Sequence, residues 1–180
     1  MRERVLKDGK VLSIDRAWPA EALAMIEYLE TVTGETEMLA AGQGEMGLTL
    51  QGEEAYIEGM AEADNSALLR GMVEGEIVSV ASLDGGGRPR IRHTAELGIS
   101  VRKAFWGLGV GDAMMAALLD DAEECGVLHS IYLGVRADNR TAFKLYQKHG
   151  FRACGLRRDY LHIGSAYQDE LLMELLLPRA

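Results

Sequence analysis

The sequence predicts a single α/β domain over residues 1–180, with a mixed, mostly antiparallel sheet of six or seven strands flanked by helices. Three observations lead there. The chain has 180 residues, 48% of them hydrophobic and 26% charged, which is about one domain's worth of chain with the composition of a folded protein. Its first half reads as strands joined by tight turns, and such strands are antiparallel neighbours. Its second half alternates strand with helix, and that alternation brings in parallel pairing.

Val5-Leu6 and Val11 to Ile14 flank Asp8-Gly9, a hairpin signal that opens the fold. Pro19 starts a helix whose apolar stripe, Leu23, Ala24, Ile26, Tyr28 and Leu29, ends near Gly34. Residues 35–52, with Gly42, Gly44 and Gly47, read mostly as loop, and a second helix runs from about Gln51 to Ala63. Ala67 to Val73 and Glu76 to Leu83 form a strand pair around Glu74-Gly75, followed by a flexible Gly85-Gly86-Gly87 loop. His93 to Val101 is a strand, Gly109 to Cys125 a helix and Leu128 to Val135 a strand, which together make a β-α-β unit. A short helix over 139–148, a strand beginning at Phe151 and a last strand from Tyr167 to Leu176 complete the chain.

Charge and cysteine usage narrow the function. There are 28 acids and 19 bases, for a net charge of −9, and the whole excess lies in residues 1–90. Residues 17–69 hold eleven acids and no Lys or Arg. Nucleic acid is a poor partner for such a chain, because phosphate backbones are held by clustered bases. The longest C-terminal apolar stretch, Leu171 to Pro178, is interrupted by Glu174 and falls far short of the ~20 residues of a membrane-spanning helix. The N-terminus has mixed charge and no apolar core of a secretory signal, so a cytoplasmic protein is expected. Cys125 and Cys154 have no metal-ligand spacing and read as free thiols; no metal site is expected.

The most informative local feature is the run Trp106, Gly107, Leu108, Gly109, Val110, Gly111 between a strand and a helix. Free N–H groups at a helix N-terminus, together with the helix dipole, make an anion site, and glycines let a phosphate approach the backbone. A purely structural tight turn reads equally well from the glycines alone. A dinucleotide or S-adenosylmethionine fold would place the turn after the first strand of the sheet, whereas several strands precede it here.

The segment downstream is more specific. Val101 to Gly111, then Leu133-Gly134-Val135, then Asn139 to Phe151 with Asn139, Ala142, Leu145, Tyr146, Gly150 and Phe151 at the fixed places of N-x-x-A-x-x-L-Y-x-x-x-G-F, resemble the acyl-CoA-binding core of the GNAT N-acetyltransferase superfamily. The motifs span Val101–Phe151, and the order of elements agrees from Val11 to Leu176. The resemblance implies a centrally splayed sheet, acetyl-CoA as cosubstrate and direct acetyl transfer to a primary amine of a small molecule or peptide. Relatives often carry Gln or Arg where Trp106 stands, so the backbone cradle carries over more directly than a side-chain contact from this position. A non-catalytic acyl-CoA-binding module on the same fold is the alternative; it would keep the glycine turn and need neither Tyr146 nor Glu96.

The implied roles have physical content. An alkylamine with a pKa of about 10.4 must lose a proton before it attacks a thioester, and Glu96 stands where many members carry a general base, acting directly or through water. An ordinary strand-face glutamate is the plain alternative. Backbone groups of Ile99, Ser100 and Val101 resemble the family's site for the acyl oxygen. Tyr146 matches the acid that protonates the departing thiolate, although alone it reads as core packing. Asn139 reads as a helix N-cap and by resemblance also contacts the pantetheine arm. Arg102, Lys103 and Arg140 lie beside the motifs as partners for phosphate or as solvated charge. Asp169 is a weaker candidate for shaping the acceptor pocket. The acidic stretch 17–69 suggests a cationic acceptor, since acidic walls concentrate cations, and a homodimer is compatible with the sequence.

Overall fold

The computed structural model describes residues 1–178. Eight strands form one sheet: β1 (Arg2–Val5), β2 (Val11–Arg16), β3 (Ala67–Val73), β4 (Glu76–Gly85), β5 (Thr94–Val101), β6 (Ser130–Arg136), β7 (Arg152–Ile163) and β8 (Ala166–Leu176). The α-helices among the described residues are α1 (Ala22–Glu35), α2 (Leu50–Glu62), α3 (Val110–Glu124) and α4 (Arg140–Lys148). Single 3₁₀ turns at Pro19–Glu21 and Lys103–Phe105 lead into α1 and toward α3.

The spatial order is β1-β2-β3-β4-β5-β6-β8-β7, and only the β5–β6 pair is parallel. Eight strands exceed the six or seven expected. The strand least visible in the sequence is β1, whose Arg2-Glu3-Arg4 has no apolar signal; charge on an exposed outer strand discourages pairing with other chains. It is held by the register Val5↔Val11 to Arg2↔Ile14, with Gly9 at φ +87 in the turn. The Glu74-Gly75 turn has both central residues at positive φ, the geometry that matches the twist of a two-residue hairpin. Helix α2 starts at Thr49, whose hydroxyl accepts from Gly52 N at 3.1 Å. The motif-bearing elements fall within a residue or two of expectation, with β7 starting at Arg152 and Phe151 turned into the core.

Helices cover both faces. Leu68 and Val80 pack with Met25, Tyr28 and Val32 of α1 and Ile57 and Met60 of α2. Their strand neighbours Leu69 and Ala81 point the other way, into the larger core around Met114, Leu118, Ile131 and Met173. Strand alternation thus produces two layers of helix on one sheet. Helix α3 crosses β3 closely enough that a Cβ on Gly71 would lie 2.9 Å from Met114 Sδ, so any larger residue there would push that side chain aside. No described helix is long and apolar enough to cross a membrane.

The parallel pair positions the site. Strands β5 and β6 pair only through Thr94↔Ser130, Ala95↔Ile131 and Glu96↔Tyr132. Beyond Glu96, β5 continues along β4 as far as Val101↔Ser79, and β6 continues along β8 as far as Arg136↔Glu170. The sheet therefore splits into a V-shaped gap whose walls are the facing edges of β5 and β6.

Candidate active site

Backbone alternation decides what the β5 wall offers. Arg102 N donates to Val78 O at 2.9 Å, and Ser100 O accepts from the Ser79 hydroxyl at 2.7 Å. Even-numbered residues of this stretch therefore turn their peptide groups toward β4, and Leu97, Ile99 and Val101 turn theirs toward the gap. The three residues expected to act together divide accordingly. Ile99 and Val101 present backbone, whereas Ser100 presents its hydroxyl on the opposite face, 2.9 Å from the Tyr28 hydroxyl. Burial pushes the Tyr28 phenol up to about 12, against the pull of its Ser100 bond, so the pair is neutral at ordinary pH.

At the end of β5 the chain enters the glycine turn. Gly107 has φ +75, and Gly109, the N-cap of α3, has φ +100; L side chains rarely adopt either. A Cβ at either position would meet no other atom within 4 Å. The glycines thus serve conformation and leave open space over the backbone, the shape of a cradle for a group lying against the α3 N-terminus. Val110 is fully buried and anchors the helix beneath. Gly111 differs: its Cβ would lie 3.2 Å from Leu145 Cδ2 and 3.9 Å from Val101 Cγ2, because α4 and the end of β5 converge on it.

Trp106 does not extend toward a ligand in place of a Gln or Arg. Its indole Nε1 donates to Val101 O at 2.7 Å, satisfying a carbonyl that the split sheet leaves without a strand partner. Two carbonyls of the turn are satisfied by a residue with no local signal in the sequence. Lys7, in the β1–β2 turn, donates from its backbone to Leu108 O at 3.1 Å and from Nζ to Gly107 O at 2.9 Å. Its charge also makes the turn more hospitable to an anion. Arg102 is not a free phosphate partner: its Nε bonds Glu35 Oε1 at 2.8 Å, and Glu35 Oε2 accepts from Lys103 N at 2.6 Å. Burial raises the Glu35 pKa, but these two donors together outweigh it and hold the carboxyl below its usual range.

Helix α4 packs beside the end of β5, with Leu145 against Gly111. Asn139 caps it, accepting from Ala142 N at 3.1 Å. The Tyr146 ring is buried against Phe151, with ring centroids 6.0 Å apart, and the residue is 7% exposed. No described side chain or backbone group bonds its hydroxyl, and burial pushes the phenol up to about 12. It stays protonated over the working pH range and is free to donate. Asp112, in the first turn of α3, accepts from Lys148 Nζ at 2.6 Å and His149 Nε2 at 3.0 Å, tying the two helices together beside the gap.

On the face covered by α1 and α2 lies a cavity of about 670 Å³ floored by Gly98, Ile99 and Ser100, the same stretch that has lost its β6 partner. Met25, Leu29, Val32, Leu39, Met46 and Leu48 supply apolar wall. Glu53 also lines it and is 4% exposed, with no hydrogen-bond partner for its carboxylate among the described residues; burial raises its pKa. Nearby, the Tyr56 hydroxyl donates to Asp84 at 3.2 Å. Glu96 is on this face, paired with Asp84 across β4 and Tyr132 across β6. It is exposed, at the apex of the split rather than in the cavity lining. Asp169 lies elsewhere: its carboxylate accepts from Asp159 N at 2.9 Å and braces an irregular stretch of β7. Among the described residues no cluster of His, Cys, Asp or Glu is arranged to hold a metal ion.

The sheet thus parts beyond its parallel pair, a glycine turn opens α3 beside the parting, and α4, which carries Tyr146, packs against that turn. The acetyltransferase (GNAT) family model matches residues 25–151. The chain is 29% identical over 116 residues to the L-amino acid N-acetyltransferase AaaT of Escherichia coli, covering 64% of this chain and 72% of that protein. It is 43% identical over 68 residues to the N-alpha-acetyltransferase RimI of Mycobacterium tuberculosis, which is 38% of this chain and 40% of that one. The crystal structure of a GNAT-family acetyltransferase from Streptococcus pneumoniae superposes with a TM-score of 0.90 at 29% identity, over 93% of this chain and 99% of that chain. A Salmonella typhimurium protein solved with its cofactor acetyl-CoA shares the fold at a TM-score of 0.81 and 21% identity, over 94% and 95% of the two chains. The chain belongs to the GNAT acetyltransferase family, and its activity is that of an N-acetyltransferase.

Proposed function

We propose that the chain transfers an acetyl group from acetyl-CoA to a primary amine that enters from the α1–α2 face, by direct attack across the split in the sheet. One observation carries the reading: Gly98 to Ser100 are at once the unpaired edge of β5 and the floor of the cavity. A thioester lying along the gap and an amine in the cavity would meet there. Bound acetyl-CoA supplies the activated acyl group.

The residues fit that cosubstrate. Open space over Gly107 and Gly109, the α3 N-terminus and the nearby Lys7 charge suit a pyrophosphate. Outward N–H groups of Ile99 and Val101 are placed to stabilise charge developing on an acyl oxygen. Tyr146 holds the proton for the leaving sulfur, its hydroxyl uncommitted. Glu96, exposed at the apex, takes the amine's proton directly or through water. Asn139 combines its cap with contact to the pantetheine arm. The cofactor-side set is completed by Trp106, Leu108, Val110 and Gly111, which shape the turn. The names of the relatives point to amino-acid and N-terminal amines as acceptors; the acidic composition of residues 17–69 points to a cationic one.

The deciding experiment is release of free thiol from acetyl-CoA on adding a panel of primary amines, with acetylated product detected by mass spectrometry. Acetyl-CoA binding without acetylation of any amine would favour the non-catalytic module instead.

A further inference from the structure

Electrostatics of the cavity restrict its ligand further than the family does. Glu53 is 4% exposed and lines an otherwise largely apolar space, and among the described residues its carboxylate has no hydrogen-bond partner, its oxygens keeping contact with the open cavity. A carboxylate so placed, with no protein donor, is available to pair with a cationic ligand group. Asp84, held by Tyr56, adds a second negative charge on the same side, and the exposed Glu96 a third at the apex. Among the described residues lining the cavity there is no Lys or Arg. Three arginines on neighbouring elements are each paired with an acid: Arg70 with Glu21, Arg102 with Glu35 and Arg136 with Asp138.

We infer that the cavity selects a primary amine carried on an apolar body without a carboxylate, an alkyl- or arylalkylamine, and discriminates against the free amino acid of the same side chain. The ammonium is drawn to Glu53, and the aliphatic wall of Met25, Leu29 and Leu48 takes the body. A carboxylate on the ligand would enter a negative space with no Lys or Arg among its described lining residues, and juxtaposed like charges cost affinity. The volume of about 670 Å³ is in the range of a small-molecule site.

This rests on the cavity being the acceptor end of the acetyltransferase, so the test separates the two ideas. Phenethylamine, L-phenylalaninamide and L-phenylalanine share one aromatic body and differ in the carboxylate. Their binding to the CoA-saturated protein is measured by calorimetry, and their acetylation by thiol release. Expected is binding of the amine and the amide about tenfold or more tighter than the amino acid, with the same order in kcat/KM. In Glu53→Gln, a near-isosteric change, that preference should shrink while the fold is retained by circular dichroism. The preference in binding without turnover supports the selectivity and overturns the catalytic reading. Equal or tighter binding of L-phenylalanine, equal turnover of all three, no binding of any, or an undiminished preference in Glu53→Gln overturns the selectivity.

Discussion

Among the described residues neither Tyr146 nor Glu53 has a hydrogen-bond partner for its polar end, yet burial has opposite consequences for them. For the phenol, desolvation strengthens its hold on the proton up to about 12, which keeps a donor ready and costs the fold little because the neutral form is the one buried. Tyr146→Phe removes that donor without changing the ring packing against Phe151; kcat should fall about 10²-fold or more, with acetyl-CoA affinity nearly unchanged by calorimetry. For Glu53 burial disfavours the charged form. Its folded pKa is raised above the ordinary carboxylate value, so the folded state binds more protons than the unfolded state between those two values. Stability is therefore lost as pH rises through that window. Glu53→Gln should melt higher than the parent at pH 7 and converge with it as pH falls below about 4. A constant difference across pH, followed by thermal denaturation, would remove the desolvation account.

At the scale of elements, the glycine turn is a junction rather than a loop. The β1–β2 turn holds it through Lys7, Trp106 ties it back to β5, and Leu145 of α4 packs on Gly111. Gly109→Asp puts a carboxylate into the open cradle and a side chain on a φ of +100. Acetyl-CoA at a hundredfold excess over Kd should stabilise the parent by about 2.7 kcal/mol, visible as a rise in Tm. The variant should melt somewhat lower and show no such rise. These elements were the most legible part of the sequence. Asn139 to Phe151 carries its cap, its apolar stripe and its terminating Gly150 within thirteen residues, and all of that information is local. Lys7 was not legible because it meets Gly107 a hundred residues away, and no short pattern encodes that meeting. The same holds for Glu35, which neutralises an arginine that sequence proximity alone offered to phosphate. It also holds for Glu53, one of eleven acids in a stretch where only packing reveals which is enclosed. Strand β1 was faint for a different reason: its pairing partner β2 holds it, and its own side chains do not.

For the molecule as a whole, the three residue pairs between β5 and β6 are, among the described residues, the only strand pairing that joins a leaf of five strands, β1 to β5, to a leaf of three, β6, β8 and β7. The large core under α3 spans both leaves, so they hold together as one body, but along the gap their edges keep backbone donors that no strand takes up. Adding an extended ligand there would act as a crossbeam. Amide hydrogen exchange at Ile99 and Gly134, whose N–H groups face the gap, should slow when acetyl-CoA is added, while exchange in the β2–β3–β4 ladder stays nearly the same. Unchanged protection along both edges would place the cosubstrate elsewhere. A sheet left unfinished at its centre has its weakest seam where the reaction needs access, and the molecule with cosubstrate in place is then mechanically stiffer than the one that awaits it. If acetyl-CoA braces that seam, the seam must give up those contacts again before the product leaves.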